Sequence, residues 1–379
     1  MSSAAASRHT DLLTPLKDWH NLAPVIAFIL LALNWGTKPG LVLDGLLAVA
    51  LIGAILAAVH HAEVIAEKVG EPFGSLILAV AVTVIEVGLI VMLMAGGGAE
   101  TLARDTVFAA VMITCNLIVG LSILAGVDAH QRRTGKPGGS AWFNPEGAGG
   151  ALATVLTVTV LCLVLPSVTT SAKGPQFTDA QLVFAGLFSL VAYLLFVVTQ
   201  TVKHRDFFLP VDRNGDNIPD SEHHTPPSTG TTVASAALLM CALVSVVGLA
   251  KLLSPALEKG VAAAGLPHAF VGVLISLVVL APETLAAVRN ARSGRLQISF
   301  NLAYGSAMAS VGLTIPVLAV MSLFGGIELV LGLSSLHMAL LALTAFVSIL
   351  TVMRGRVVRL HGGLHLVIAA AFVFMSAMP

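Results

Sequence analysis

The sequence predicts an all-α polytopic membrane protein with about eleven transmembrane helices, laid out as one extra helix followed by two inverted five-helix repeats. Three observations predict it. Of 379 residues, 56% are hydrophobic and 11% charged, with a mean hydropathy of +0.93, whereas a soluble domain carries about 25% charged residues. Apolar runs near the length needed to cross a bilayer, about 20 residues, recur between charged or Pro/Gly breaks. Two of those runs, five apart, each place a Glu thirteen residues after a Phe: Phe73 to Glu86 and Phe270 to Glu283.

The runs follow in order. The first, 22–36, lies beyond Arg8 and Lys17; Asn34-Trp35-Gly36-Thr37-Lys38-Pro39 is not a small-residue cleavage site, so the run reads as a membrane helix and not as a removed signal. The second, 41–60, starts after Pro39-Gly40 and ends in His60-His61. Glu71-Pro72 and Gly96-Gly97-Gly98 bracket the third, 72–95; Arg104-Asp105 and Asp128 bracket the fourth, 106–127. The fifth, 149–167, follows the Gly-rich stretch after Pro145, and the sixth, 178–202, ends at Lys203. Beyond the polar loop come 231–253, 267–290, 297–323, 327–353 and 358–378, separated by Lys251 to Lys259, Arg289 to Arg295, Gly325-Gly326 and Arg354 to Arg359.

Charge placement fixes an orientation for this layout. Fifteen of the twenty Lys and Arg fall on the side of the N-terminus: Arg8, Lys17, Lys68, and three each after the fourth, sixth, eighth and tenth runs. Lys38, Arg104, Lys173, Lys251 and Lys259 fall opposite. By the positive-inside rule the N-terminus is expected in the cytoplasm and the C-terminus outside, in a bacterial inner membrane. The lipid bilayer is the expected partner; a net charge of zero and a pI near 7.2 argue against nucleic acid. Cys115, Cys162 and Cys241 lie inside apolar runs and read as small buried residues, not as a disulfide framework.

The Phe-to-Glu correspondence divides the chain into an N-terminal segment with the first helix (1–40), a first repeat (41–202), a cytoplasmic acidic and histidine-rich loop (203–230) and a second repeat (231–379). An odd number of spans per repeat turns the two copies upside down relative to each other. That is the plan of secondary transporters, whose substrate site lies near the midplane between repeats. Asp44 and Glu328 fall in first turns, and the remaining acids fall at helix ends or in loops, leaving Glu86 and Glu283 deep. An ionisable group at mid-membrane costs several kcal/mol unless it faces a cavity or partner, and so marks an ion or proton path.

The stretches "HHAEVIAEKVGEPFGSLILAVAVTVIEV" and "LAPETLAAVRNARSGRLQISFNLAYGSAMASVGLTIPVLAV" resemble the ChaA-type calcium/proton antiporters of the calcium/cation antiporter superfamily, from about residue 41 to the C-terminus. The resemblance implies that Glu86 and Glu283 bind the transported cation, and that Asn116 in "MITCNLIVGL" and Ser306 and Ser310 in "GSAMASVGLTIP" add polar groups. Many relatives carry Gly-Asn shortly before the glutamate, where this chain has Val82-Thr83 and Val279-Leu280. Calcium takes six to eight oxygens, which two Glu, Thr83, Asn116, Ser306 and Ser310 can supply together with the carbonyl of Val278. Pro282 cannot donate to that carbonyl, so it also offers a place for the helix to bend. Carboxylates sharing a low-dielectric site hold protons when no cation is present. The expected function is therefore export of Ca2+, with Na+ or K+ as alternatives, in exchange for H+. The protein is expected to be no enzyme and to need no cofactor. A passive cation channel and an intramembrane carboxylate protease are the competing readings, though the Gly-Asp and Tyr-Asp signatures of the latter do not occur.

Three weaker features complete the reading. His60, Glu63, Glu67 and Glu71 share one face if helical, a solvated face ahead of a cation-collecting vestibule. His337 and His365 read as packing histidines. In "VDRNGDNIPDSEHH", Asp212, Asn214, Asp216 and Asp220 stand at calcium-loop positions 1, 3, 5 and 9, with Asn217 and His223 where an EF-hand has Gly and Glu. A regulatory calcium site and an unliganded linker are both open readings there.

Overall fold

The structure, a computed structural model, describes residues 18–37, 40–70, 73–95, 100–135, 139–211, 227–326 and 328–379. Helices occupy every predicted run. They are α1 (Trp19–Asn34), α2 (Leu41–Val69), α3 (Phe73–Ala95), α4 (Leu102–Thr134), α5 (Pro145–Val168), α6 (Asp179–Lys203), α7 (Thr229–Ala263), α8 (Phe270–Val279), α9 (Ala281–Arg292), α10 (Leu296–Gly325), α11 (Ser335–Val352) and α12 (Arg359–Ala377). Among the described residues eight helices are long and apolar enough to cross a bilayer, or nine if α8 and α9, bent by 51° at a short break, count as one span; Trp19–Asn34 and Val80–Met94 are shorter apolar helices. The protein is a multi-pass, all-α membrane protein.

Side-chain caps define several starts. Asp18 accepts from the His20 amide at 3.1 Å, Asn144 accepts from the amides of Glu146 and Gly147 with Pro145 at the first helical position, and Thr178 and Gln181 form a reciprocal capping box. Several boundaries differ from the sequence expectation: α4 runs on to Thr134 and α7 to Ala263, and two more differ at α2 and α11. The helix α2 runs on to Val69, because its polar tail still places one side chain per turn on a common face. In the run 327–353, helix begins only at Ser335. Gly332 and Leu333 instead donate their amides to the carbonyls of Pro175 and Leu163, tying this segment to α5 and to the connection after it.

Exposed apolar side chains such as Leu41 and Leu46 on α2, Phe184 and Leu195 on α6, and Phe346 and Leu350 on α11 face outward, as lipid requires. Two buried clusters lie inside, one around α4 and α10, the other joining α1, α2, α3, α7 and α8. The packing repeats. α2 lies against α7; α3 packs on α10 as α8 and α9 pack on α4; α10 packs on α6 as α4 packs on α12. Two glycines mark the last pair of crossings. Gly120 in Val-Gly-Leu-Ser-Ile faces Leu366 and the Gly362 carbonyl, where an added Cβ would lie 2.9 and 3.0 Å away. Gly312 in Val-Gly-Leu-Thr-Ile faces Tyr193 Cβ at 2.8 Å and the Ser189 carbonyl at 3.4 Å. Wide, π-helical turns interrupt α4 at Ile113–Ile118, α5 at Val160–Val164 and α6 at Thr199–Lys203, a distortion that often sits at functional places.

Candidate functional site

A cavity of about 550 Å³ runs between α2, α3, α6, α9 and α10. At its inner end are Glu86 of α3 and Glu283 of α9, 4% and 5% exposed, with Thr83, Ser306 and Ser310 on the wall beside them. Glu63 and Glu67, both exposed on the last turns of α2, line the same cavity toward its mouth with Gln200, Asn290 and Asn301.

The two glutamates are held differently. Glu86 sits inside the continuous helix α3, and its Oε1 accepts from Ser310 Oγ at 2.5 Å, a bond that joins α3 to α10. Glu283 lies in the first turn of α9, just past the break at Leu280. The break turns the membrane-embedded α9 into a helix with its own N-terminus, whose free amides and dipole favour negative charge near Glu283. Its Oε2 is buried with no hydrogen-bond partner among the described residues. Buried polar atoms are nearly always paired, so an orphaned carboxylate oxygen on a cavity wall is a free acceptor for water, a proton or a cation.

Of the residues singled out in the sequence, the structure gathers Glu86, Glu283, Thr83, Ser306 and Ser310 on one cavity. Pro282 occupies the second position of α9, at the 51° bend. Val278 is not among the cavity-lining residues. Asn116 also lies elsewhere. It is fully buried in the wide turn of α4, donating to the Met112 carbonyl at 3.1 Å and to Thr344 Oγ1 at 3.0 Å, while its Oδ1 meets His365 Nδ1 at 3.3 Å. The other ring nitrogen of His365 meets Thr351 Oγ1 at 3.1 Å. These bonds satisfy Asn116 locally and hold the wide turn against α11 and α12. Asp212, Asn214, Asp216 and Asp220 lie outside the described residues.

Sequence reasoning passed over Gln200, Asn290 and Asn301, which stand near helix ends where polar residues are common. Asn301 is fixed by accepting from Gln297 Nε2 at 2.8 Å and donating to the Phe208 carbonyl at 2.6 Å. No pattern in the sequence separates such residues from ordinary helix-end polarity.

The family of sodium/calcium exchanger proteins matches residues 40–202 and 234–378. The chain belongs to that family. Among curated relatives of this exchanger-family chain, the "Putative ionic transporter y4hA" of Sinorhizobium fredii (strain NBRC 101917 / NGR234) is 43% identical over 370 residues, covering 96% of this chain and 97% of its own. The "Sodium-potassium/proton antiporter ChaA" of Escherichia coli (strain K12) is 31% identical over 362 residues, covering 94% and 95%. Among solved structures, native YfkE superposes with a TM-score of 0.69 at 17% identity over 95% of this chain and 99% of that one. The H+/Ca2+ exchanger CAX gives 0.65 at 14% identity over 94% and 91%. These two establish the shared fold.

Two variants probe how this candidate site is built. Pro282→Ala restores an amide able to bond the Val278 carbonyl and straighten the α8–α9 junction. It is expected to lower the maximal exchange rate more than it raises the cation concentration for half-maximal exchange; unchanged rates in vesicles would show that the proline is merely tolerated. Ser310→Ala removes the donor to Glu86. A hydrogen bond to a charged group is worth about 1.5–3 kcal/mol, so the half-maximal cation concentration is expected to rise about tenfold or more.

Proposed function

We propose that the protein is a secondary active cation/proton antiporter that exports Ca2+, or alternatively Na+ or K+, from the cytoplasm in exchange for H+. The observation that carries this reading is that Glu86 and Glu283 line one cavity, and that Glu283 Oε2 stands there unpartnered among the described residues. The oxygens of both carboxylates, with Thr83, Ser306 and Ser310, form a hard-ligand set for such a cation, while Glu63 and Glu67 draw cations toward the mouth. Protons and cation compete for the two carboxylates, so each crosses with the site's charge neutralised. The segments 41–202 and 231–379 rock against each other about the site, with the α8–α9 bend as hinge, and expose it to the two sides in turn.

Exposed Glu63 and Glu67 at the end of α2 line the cavity together with Asn290, which follows Arg289 in the chain, on the side to which the Lys and Arg bias assigns the cytoplasm. With the N-terminus placed by this proposal in the cytoplasm of a bacterial inner membrane, the cavity is the arm of the proposed cycle that faces the cytoplasm. The relative named a sodium-potassium/proton antiporter supports proton coupling and keeps the monovalent cations in view; the carboxylate pair favours the divalent one. Everted membrane vesicles test this directly. Uptake driven by an imposed pH gradient, measured for Ca2+, Na+ and K+ separately, is expected for Ca2+ first, and uptake that ignores the gradient would mean a channel instead.

The loop at 212–220 is proposed as a regulatory calcium site. Replacing Asp212, Asp216 and Asp220 by Ala is expected to shift the calcium dependence of exchange and leave any sodium exchange alone, because carboxylate count separates a divalent from a monovalent ion. Equal loss of both activities would assign the loop to folding or to general collection of cations; no change would make it a linker.

A further inference from the structure

At the start of α1, away from the cavity glutamates, three metal-ligating side chains converge. Asp18, His20 and His60 bring a carboxylate oxygen and two imidazole nitrogens within 4.8 Å of one another. Asp18 and His20 open α1, and His60 belongs to α2. His20 Nδ1 lies 2.7 Å from Asp18 Oδ1, and the His20 and His60 rings stack with centroids 4.0 Å apart. A further imidazole braces the group without joining it. His61 is 1% exposed, its Nε2 meets the His20 carbonyl at 3.1 Å, and its Nδ1 meets Ser235 Oγ on α7 at 3.3 Å. The backbone of His20 is thereby positioned against both α2 and α7, while the ligand atoms stay open to water: Asp18 is exposed, and His20 and His60 are half-buried.

We propose that Asp18, His20 and His60 form a binding site for a borderline divalent transition-metal ion of the zinc class, which fastens α1 onto α2. Two imidazole nitrogens and one carboxylate, completed by water, are the donor set such ions take. The same set is poor for calcium, which requires six to eight oxygens, so the site discriminates against the cation proposed for the cavity. The ion replaces the hydrogen bond and ring stacking that hold the three side chains together, and binds a helix lying outside the two repeats to the first helix of one of them. Nothing in this proposal depends on what the cavity transports, and its test reads metal binding alone.

Tag-free, full-length protein stripped with EDTA is titrated calorimetrically with Zn2+. One equivalent is expected to bind, and Ca2+ at the same concentration is expected not to displace it. Loss of an outer-shell partner of a metal site already costs about 10–100-fold in affinity, so His20→Ala and His60→Ala are each expected to weaken zinc binding at least that much. His204→Ala, whose ring stacks on Phe207 in another part of the molecule, is expected to bind as the wild type does. Zinc should also raise the Tm of the wild type and leave that of the His20→Ala/His60→Ala double variant unchanged. Wild-type zinc affinity in a folded double variant would overturn the proposal. Should the variants fail to fold, the unaltered protein decides: one equivalent of Co2+ is expected to give intense visible bands of a four- or five-coordinate nitrogen/oxygen site, and their absence would overturn the proposal equally.

Discussion

Glu283→Gln and Glu86→Gln are each expected to abolish proton-coupled exchange in vesicles while leaving folded protein in the membrane. The amide keeps one oxygen but can neither bind a transported proton nor neutralise a cation, and an uncompensated charge in the membrane core costs at least about 2.5–3.5 kcal/mol. A cost of that size on a step of the cycle slows it by roughly two orders of magnitude. Under the proposed shared-site mechanism, the wild type's cation concentration for half-maximal exchange should rise as the pH on the cation-loading side falls, because proton and cation would compete for the same oxygens. The two variants should differ in one respect. Glu86→Gln leaves an amide that can still accept from Ser310, so its local packing is kept. Glu283→Gln acts on a carboxylate whose Oε2 has no partner among the described residues, so its effect on folding should be the smaller. A folded variant that keeps wild-type proton-coupled exchange would end the shared-site mechanism.

How far the sequence could be read follows from which signals are local. Run lengths, the charge bias and the paired Phe-to-Glu spacing are properties of short stretches, and the helices fall where those stretches predict. Pro282 announced a break, but the 51° bend and the helix N-terminus it creates beside Glu283 depend on how α8 and α9 pack. Ser310 was reached through the resemblance, whereas its bond to Glu86 crosses 224 residues of sequence and no local pattern encodes it. Asn116 shows the opposite case. Its residue type suits a cation ligand, but a buried amide must satisfy its own groups, and His365 and Thr344 do so away from the cavity. Glu63 and Glu67 read first as a solvated face, and they are exposed; only the fold shows that the same face borders the cavity. The meeting of Asp18 and His20 with His60 is likewise invisible until α1 is laid on α2.

Gly272→Val is expected to cause a large loss of folded protein. Gly272 and Ser276 form a small-xxx-small step on α8, the pattern that lets membrane helices approach backbone to backbone. A Cβ added at Gly272 would stand 2.8 Å from the Thr106 amide nitrogen and 2.9 Å from the Asp105 carbonyl carbon of α4, backbone atoms that cannot rotate away. One turn on, Ser276 Oγ donates to the Thr106 carbonyl at 2.8 Å, so this contact and the hydrogen bond lock the same crossing. Valine forces the helices apart and breaks that bond. Overpacking costs about 1–3 kcal/mol and a lost buried hydrogen bond about 1 kcal/mol more. Gly272→Ala should cost less than Val and Ser276→Ala should cost only the bond, so that the thermal midpoints of detergent-purified protein fall in the order wild type, Ser276→Ala, Gly272→Ala, Gly272→Val. Because α8 carries the break that presents Glu283, whatever Gly272→Val protein does fold should also exchange cations poorly. A wild-type midpoint for the valine variant would mean that α8 does not rest on α4 as closely as the structure places it.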